Sequence, residues 1–335
     1  MSVLSAIAAL VIGISGQAAA ATPDPALEVY AKPQTLVALK GGRRLNLYCT
    51  GQGTPTVVLE GGWTTNTASW RKVQGPLAAT TRVCSYDRAG YGFSDPGPQP
   101  RTAQAQADDL HALLKAAKIP GPYVLVAHSL GGLDTRLFVD QHRKEVAALV
   151  LVDPSSEHQT RRLGEVSAGA AKAEAEFEDG VRVCAQAVID GKMTADLPQR
   201  PYCIDGPARS LPASVNAARR ASQLTPAYQT AALSELNSLD VASSDQVAKS
   251  RRAGGDLPVV VLTGENTQKS PDLPEAEQAA LAKVWWGMHE DVAKLSTRGE
   301  HRLVADTGHM IPSQNPKVVV DAVVGVVEQA RKGAK

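Results

Sequence analysis

Short apolar runs recur along the chain, and most are separated by segments with helical periodicity. Each run is five to seven residues long, which predicts a β-strand. Several are apolar throughout, a pattern typical of strands buried on both faces of a sheet. The first two flank a glycine turn at residues 40–43 and predict an antiparallel hairpin. The predicted strands are Thr35–Leu39, Arg44–Cys49, Thr56–Glu60, Arg82–Tyr86, Tyr123–Ala127, Ala147–Val152, Leu257–Thr263 and His301–Ala305.

Helical patterns lie between the later strands. Over residues 102–118, Ala103, Ala107, Leu110, Leu114 and Ala117 recur at steps of three or four residues, which predicts an amphipathic helix. Strands that alternate with helices predict a mostly parallel sheet with helices on both faces. The fold class is therefore α/β, with eight strands expected.

The alternation of strands and helices stops between residues 154 and 256. This segment is rich in Ala, Arg, Glu and Gln, and it is too long for a loop. We therefore expect a helical cap at 154–256, inserted between a first part of the core at 22–153 and a second part at 257–335. The prolines that divide the cap into short helices are Pro198, Pro201, Pro207, Pro212 and Pro226.

Residues 1–21 have the pattern of a secretory signal peptide. The apolar run from Val3 to Ile14 is shorter than the roughly 20 residues of a membrane span, and small residues follow it up to Ala21. Cleavage is expected near Ala20 or Ala21, with export to the periplasm or the medium. No basic residue precedes the apolar run, so a buried N-terminal helix is the alternative.

Composition excludes several functions. The 335 residues carry a net charge of +1, and no basic run could follow a phosphate backbone, so nucleic acid is not an expected partner. The even number of cysteines suits disulfides in an oxidising compartment. Without C-x-x-C spacing or paired histidines, no metal or cofactor is expected. The cysteines are Cys49, Cys84, Cys184 and Cys203.

The first candidate for chemistry is a serine where a strand changes to a helix. The apolar strand Tyr123–Ala127 is followed by a predicted helix at Leu130–Gln141, and Ser129 lies between them. This arrangement is that of a nucleophile elbow, a tight turn that holds the hydroxyl clear of the backbone beside a helix N-terminus. The motif reads A-x-S-x-G, because Ala127 replaces the usual first glycine. A serine that only caps the helix is the alternative interpretation.

A nucleophilic serine needs a base, and His309 is the candidate. It lies in a glycine-containing loop between the last predicted strand and the C-terminal helix, which Asn315 and Pro316 are expected to open. Structural roles are expected for the other six histidines: His111, His142 and His289 on helix surfaces, His158 in the cap, His301 at the start of a strand, and His128 directed into the surroundings of the sheet.

The base in turn needs an acid, and Asp153 directly follows the strand Ala147–Val152. The alternative is the loop after Thr263, where Glu265 or Asp272 could reach the imidazole. Asp153 could also be a turn residue in front of Pro154. The sequence leaves this choice open.

The oxyanion of an acyl-transfer reaction needs two backbone amides. The amide of Leu130, directly after the serine, is one candidate. The glycine turn after the third predicted strand, Glu60-Gly61-Gly62-Trp63, offers the amide of Gly62 as the second. A plain turn would also use two glycines.

These motifs together resemble those of the α/β-hydrolase superfamily. The segment Tyr86–Asp95, Y-D-R-A-G-Y-G-F-S-D, is similar to the D-x-R-G-x-G-x-S loop that these proteins carry after the fourth strand. The resemblance implies that the second and fourth strands are neighbours and that a triad follows the order Ser129, Asp153, His309. Asp153 resembles the acid of pancreatic-type lipases, placed after the sixth strand. The chain departs from the family at Ala127, at Glu60, where His is common, and at Thr267, where the acid is common.

The resemblance implies a serine hydrolase that cleaves a small-molecule ester through an acyl-enzyme, and the N-terminal pattern predicts that it is exported. A peptidase, lactonase or acyltransferase could use the same triad, and a non-catalytic binding protein could use the same scaffold. A serine in place of an aspartate argues against a dehalogenase or an epoxide hydrolase. The composition of the cap names no ligand, since no aromatic cage and no paired arginine clamp is apparent. The oligomeric state is not predicted.

The same resemblance bears on the cysteines. It makes the strands that hold Cys49 and Cys84 neighbours, while Cys184 and Cys203 share the cap. We therefore expect disulfides Cys49–Cys84 and Cys184–Cys203. Two buried thiols are the alternative for the first pair, because adjacent strands do not always bring two sulfurs into bridging geometry.

Overall fold

A computed structural model describes residues 24–252 and 254–333. The expected signal peptide at 1–21 lies outside the described residues. In the described part of the chain, eight strands form one sheet, close to the predicted positions: β1 Thr35–Ala38, β2 Arg44–Thr50, β3 Thr56–Glu60, β4 Val83–Tyr86, β5 Tyr123–His128, β6 Val146–Val152, β7 Val259–Gly264 and β8 Gly299–Val304.

The strand order of the sheet is β1-β2-β4-β3-β5-β6-β7-β8. The pairs β1–β2 and β2–β4 are antiparallel, and the remaining pairs are parallel. This confirms the predicted α/β class with a mostly parallel sheet. Because β3 to β8 run in the same direction, their carboxyl ends meet at one edge, and the predicted chemistry follows β3, β5, β6 and β8 there.

The central strands are apolar throughout because helices cover both faces of the sheet. Along β5, Tyr123, Leu125 and Ala127 pack on one face, while Val124 and Val126 pack on the other. The alternating direction of strand side chains produces this division. When both faces of a strand are buried, apolar residues occupy successive positions instead of alternating with polar ones. This is why β5 is a continuous apolar run in the sequence.

Eleven α-helices lie in the described part of the chain. Helices α2 and α3 cover one face of the sheet, and α1 and α11 cover the other. They are α1 Arg71–Ala78, α2 Ala103–Ala116, α3 Gly131–His142, α4 Gln159–Gly164, α5 Ala168–Ile189, α6 Ala213–Gln223, α7 Pro226–Ser238, α8 Ser244–Ser250, α9 Glu275–Ala293, α10 Ile311–Gln314 and α11 Pro316–Gly333.

The segment between β6 and β7 forms α4 to α8, and its described residues add no strand to the sheet. Helical insertion is therefore present where the cap was expected, and the domain boundaries at 153/154 and 256/257 stay a prediction. Disulfide Cys184–Cys203 ties α5 to the turn before α6. Disulfide Cys49–Cys84 joins cysteines directly opposite each other on β2 and β4. Both pairs are compatible with the expected ones.

Among the described residues, no helix is both long enough and apolar enough to cross a bilayer.

Candidate active site

Ser129 lies in a tight turn between β5 and α3. Its backbone φ is +54°, in the left-handed region that non-glycine residues rarely adopt. A Cβ built on Gly131 would lie 2.7 Å from the carbonyl oxygen of Gly61 and 2.7 Å from Cγ of Glu60, so only glycine fits there. Strand and helix therefore approach closely around the serine, as in a nucleophile elbow. Ala127 is fully buried in β5, where its methyl group is accommodated in the core.

His309 reaches Ser129 from the loop after β8. Its Nε2 lies 2.9 Å from Oγ of Ser129, and its Nδ1 lies 2.6 Å from Oδ2 of Asp153. An ionised carboxylate only accepts hydrogen bonds, so Nδ1 carries the proton and donates it to Asp153. The unprotonated Nε2 then accepts from the serine hydroxyl. The structure thus brings Ser129, His309 and Asp153 together in one hydrogen-bonded chain.

Asp153 is completely buried, yet several hydrogen-bond donors of the protein surround its carboxylate. Besides His309, it accepts from the amide of Gly264 at 2.9 Å, from the hydroxyl of Thr267 at 2.9 Å and from the indole of Trp285 at 3.2 Å. Burial opposes ionisation, but the hydrogen bond and charge of His309 outweigh it and hold the pKa of Asp153 below its ordinary value. The carboxylate is therefore an ionised acceptor beside the imidazole.

The alternative acid, Glu265, binds a backbone amide and not the imidazole of His309. Its Oε2 accepts from the amide of Asp306 at 2.9 Å, which ties together the loops after β7 and β8. Asp272, the other alternative, is exposed. Thr267 stands where the family often has its acid, and it contributes a hydroxyl to Asp153 instead. Geometry therefore favours Asp153 as the partner of His309.

The glycine turn after β3 packs directly against Ser129. A Cβ on Gly62 would lie 3.0 Å from Cβ of Ser129 and 3.1 Å from Nδ1 of His128, which explains the glycine. Leu130 is the first residue after the serine and precedes α3, which begins at Gly131. Both amides proposed for an oxyanion hole thus belong to segments that adjoin the serine.

A buried arginine holds this glycine turn, and sequence reasoning did not assign it. Arg88 donates to the carbonyl oxygens of Gly61, at 2.5 Å, and Gly62, at 2.8 Å. It forms ion pairs with Glu60 and Glu235, both at 3.0 Å. Although burial opposes its charge, the two carboxylates raise the pKa of Arg88 above its ordinary value. The D-x-R-G motif and the unusual Glu60 were visible in the sequence, but nothing there linked them to Glu235 in α7.

The position predicted for His128 is wrong. It is buried beside the proposed base, with its ring centroid 4.8 Å from that of His309. Its Nε2 lies 2.9 Å from the carbonyl oxygen of His309, and since a carbonyl only accepts, Nε2 carries the proton. Burial, and then the charge of His309, lowers the pKa of His128 to about 3. His128 is thus a neutral support for the His309 loop, and its place next to Ser129 was the one signal of this.

The prediction for His289 is also wrong, because this residue of α9 is buried and not on a helix surface. One ring nitrogen contacts the hydroxyl of Thr263 at 2.6 Å, and the other contacts the carbonyl oxygen of Pro154 at 2.8 Å. Burial lowers the pKa of His289 to about 4. It therefore packs as a neutral ring behind Asp153.

A cavity of about 200 Å³ opens over Ser129 and His309. One wall comes from the core, including Trp63 and Arg71, and the other from the segment after β6, including Tyr228 and Arg219. Leu130 and Trp285 line a much smaller recess of about 30 Å³, which also touches the serine. The hydroxyl of Ser129 therefore faces one larger and one smaller chamber.

Among the residues that the structure describes, one group of side chains could hold a metal ion. His111, His142 and Glu145 offer ligand atoms within 4.8 Å of one another. Nε2 of His111 already lies 3.1 Å from Glu145, and Lys115 binds the other carboxylate oxygen at 3.0 Å. Helix α3, at 1.5 Å per residue, separates this group from Ser129 by about 16 Å. It therefore takes no part in the site around the serine.

Comparisons with known proteins agree with this architecture. Residues 55–172 match the sequence model of the alpha/beta hydrolase fold. The haloalkane dehalogenase DbeA from Bradyrhizobium elkanii, as a loop variant, superimposes with a TM-score of 0.66 over 88% of this chain and 96% of that chain, at 19% identity. The sequence match and the structural likeness together show that the chain has the alpha/beta hydrolase fold.

Curated relatives share shorter or more distant stretches. The uncharacterized protein YqjL of Bacillus subtilis is 34% identical over 105 residues, which cover 31% of this chain and 42% of the relative. The chain thus spans less than half of that relative's length. The 2-(acetamidomethylene)succinate hydrolase of Mesorhizobium japonicum is 27% identical over 255 residues, which cover 71% of this chain and 90% of the relative.

Proposed function

We propose that this protein is a serine hydrolase that cleaves a carboxylic ester through an acyl-enzyme. The observation that carries the proposal is the hydrogen-bonded chain from Ser129 Oγ through His309 to the buried Asp153. A serine hydroxyl is a weak nucleophile unless a base removes its proton, and an imidazole is a better base when a carboxylate fixes its tautomer. The distances from His309 to Ser129 and to Asp153 support these two roles.

The reaction proceeds in two halves. Oγ of Ser129 attacks the ester carbonyl while Nε2 of His309 takes the proton of the serine hydroxyl. The amides of Gly62 and Leu130 stabilise the oxyanion that forms. The protonated His309 gives this proton to the departing alkoxide, which leaves an acyl-enzyme. In the second half, His309 takes a proton from water, and the resulting hydroxide attacks the acyl group. The bond to Oγ of Ser129 then breaks, His309 returns the proton to Oγ, and the acid is released. Asp153 stabilises the imidazolium in both halves.

The proposal includes export and a cap. The apolar N-terminal pattern and the two disulfides support an oxidising compartment outside the cytoplasm. Residues 154–256 act as the cap, since residues of this segment form one wall of the cavity over Ser129.

Hydrolysis of an amide is the second candidate. The Mesorhizobium relative favours amide hydrolysis, because its name gives 2-(acetamidomethylene)succinate as the compound hydrolysed, and this compound carries an acetamido group. The same triad serves both reactions, and they differ in the leaving group that His309 must protonate.

A fluorophosphonate probe and a series of p-nitrophenyl esters of increasing chain length test the proposal. The probe should label Ser129, and Ser129→Ala should abolish labelling and lower turnover on the order of 10⁶-fold. Ser214→Ala, which removes an exposed hydroxyl of α6, is the matched control and should label normally. An unlabelled wild-type protein that hydrolyses no ester or amide would point to a binding protein instead.

A further inference from the structure

Two arginines line the cavity over Ser129, although no paired clamp is apparent in the sequence. Arg71 begins α1 on the core side, and Arg219 lies in α6 on the cap side. Both line the same cavity as Ser129 and His309. The two arginines lie 148 positions apart in the sequence, so they share a cavity wall only in the folded chain and no local pattern indicates the pair.

The two guanidinium groups differ in their partners. Arg219 forms an ion pair with Asp205 at 2.8 Å. Arg71 donates to the carbonyl oxygen of Ala68 at 3.2 Å and to the hydroxyl of Ser210 at 3.0 Å, both neutral groups. Within the described ranges, no carboxylate forms an ion pair with Arg71. Arg71, Arg219 and Asp205 therefore give this end of the cavity one net positive charge.

Keeping Arg71 charged in this cavity costs free energy. Burial, and next the charge of Arg219, lowers the pKa of Arg71 below its ordinary value. Elsewhere the lining includes apolar side chains such as Leu211, Met310 and Pro312, which cannot neutralise a cation. A ligand with a negative group would relieve the repulsion between the two arginines and gain charge-assisted hydrogen bonds.

We infer that Arg71, together with Arg219, binds a carboxylate that the substrate carries at a distance from its scissile bond. A carboxylate matches the planar fork of a guanidinium, and its single charge matches the single net charge of the site. The cavity of about 200 Å³ suits a short substrate. The substrate class is thus a small anionic ester, such as a monoester of a dicarboxylic acid. This inference rests on the proposed serine hydrolase function.

The experiment compares two chromogenic substrates of equal chain length, the mono-p-nitrophenyl ester of adipic acid and p-nitrophenyl hexanoate. They differ only in a terminal carboxylate against a methyl group. Wild-type protein should have the higher kcat/KM for the adipate ester. In Arg71→Met, kcat/KM for the adipate ester should fall about 10- to 100-fold, mainly through KM, because a hydrogen-bonded charge is lost. Its kcat/KM for the hexanoate ester should change by a much smaller factor than that for the adipate ester.

Two further variants serve as controls. Arg298→Met removes an exposed arginine that binds Gln329 far from the cavity, and it should change neither substrate. Arg71→Lys keeps the charge and should recover part of the preference for the adipate ester. An equal loss on both esters in Arg71→Met, or a wild-type protein that does not prefer the adipate ester, would overturn the anionic subsite.

The failure of this inference can be distinguished from the failure of the proposed function. If the fluorophosphonate labels Ser129 and the hexanoate ester is hydrolysed, the serine hydrolase function stands, and the comparison of the two esters decides the subsite alone. If neither ester is hydrolysed, calorimetric titration with adipate tests whether the cavity has the anionic subsite. Adipate should bind wild-type protein and Arg298→Met, and it should bind Arg71→Met at least tenfold more weakly. Equal binding to all three proteins would contradict the role of Arg71.

Discussion

At the scale of single residues, Asp153 and Glu265 give opposite predictions for mutagenesis. Asp153→Asn places an amide against Nδ1 of His309, which favours the tautomer whose Nε2 carries the proton and cannot accept from Ser129. Turnover should fall by about 10³- to 10⁴-fold. Glu265→Gln keeps a side-chain oxygen that can accept from the amide of Asp306, and it should leave kcat close to wild type.

Measurement of kcat on protein whose active sites are titrated with the fluorophosphonate settles this comparison. The two variants are matched, since each replaces one carboxylate by its amide. A greater loss in Glu265→Gln would assign the acid to the loop after β7.

The sequence could place a carboxylate at the end of β6 but could not choose it over the loop after β7. Asp153 and Glu265 both follow apolar strands, and the strand pattern is the same for each. The choice depends on which side chain faces His309, and this is fixed by contacts such as those of Thr267 and Trp285 with Asp153. Such contacts join residues more than a hundred positions apart, so no local pattern reveals them.

At the scale of structural elements, Arg88 controls the direction of the glycine turn after β3. A peptide unit is planar and trans, so a carbonyl oxygen and the amide of the next residue point in opposite directions. By holding the carbonyl of Gly61, Arg88 fixes the amide of Gly62, and by holding that of Gly62 it fixes the amide of Trp63. We propose that Arg88 is a positioning residue for the oxyanion hole.

Arg88→Lys keeps the charge between Glu60 and Glu235 but loses the fork that reaches both carbonyls. We expect kcat to fall on the order of tenfold to 10²-fold with little change in KM, since a displaced donor weakens only the transition state. Tyr91→Phe is the control: it removes a 2.9 Å hydrogen bond to Glu235 in the same network without touching the turn.

Thermal unfolding and kcat should be measured together for these two variants. Tyr91→Phe should lower the melting temperature while leaving kcat near wild type. If Tyr91→Phe lowered kcat as much as Arg88→Lys does, Arg88 would act through the stability of the fold and not through the turn.

The elements themselves were largely predictable, and the network between them was not. Strand β5 is apolar at its first five positions, because both faces are buried, and α2 shows its periodicity, because only one side packs on the sheet. The pairing of Arg88 with Glu235 spans 147 residues and crosses from the core to α7. In the sequence, Arg88 and Glu235 have the pattern of ordinary surface charges, and only the tertiary structure shows that both are buried.

At the scale of the whole molecule, buried neutral histidines make stability depend on pH. The pKa of His289 is about 4 in the folded protein, against about 6.5 in an unfolded chain. Between these pH values the unfolded state binds more protons, so the free energy of unfolding falls as the pH falls. The slope contributed by His289 is at most about 1.4 kcal/mol per pH unit. His128 acts in the same direction.

Urea unfolding of wild type and His289→Gln at several values between pH 7.5 and pH 4.5 tests this. The glutamine can still donate to the carbonyl of Pro154 but does not titrate. The wild-type curve should be steeper than that of the variant between about pH 6.5 and pH 4.5. Identical slopes for the two proteins would show that His289 is not the source of the acid sensitivity.

The hydrogen bond between Thr267 and Asp153 has an evolutionary consequence. The two side chains lie 2.9 Å apart beside the same imidazole, at the ends of adjacent parallel strands. A lineage that gained an aspartate at 267 would carry two neighbouring carboxylates, of which one would stay protonated, and could then lose Asp153. A carboxylate would remain beside His309 at every step. The geometry therefore allows the acid to move from the loop after β6 to the loop after β7 without a step in which His309 loses its neighbouring carboxylate.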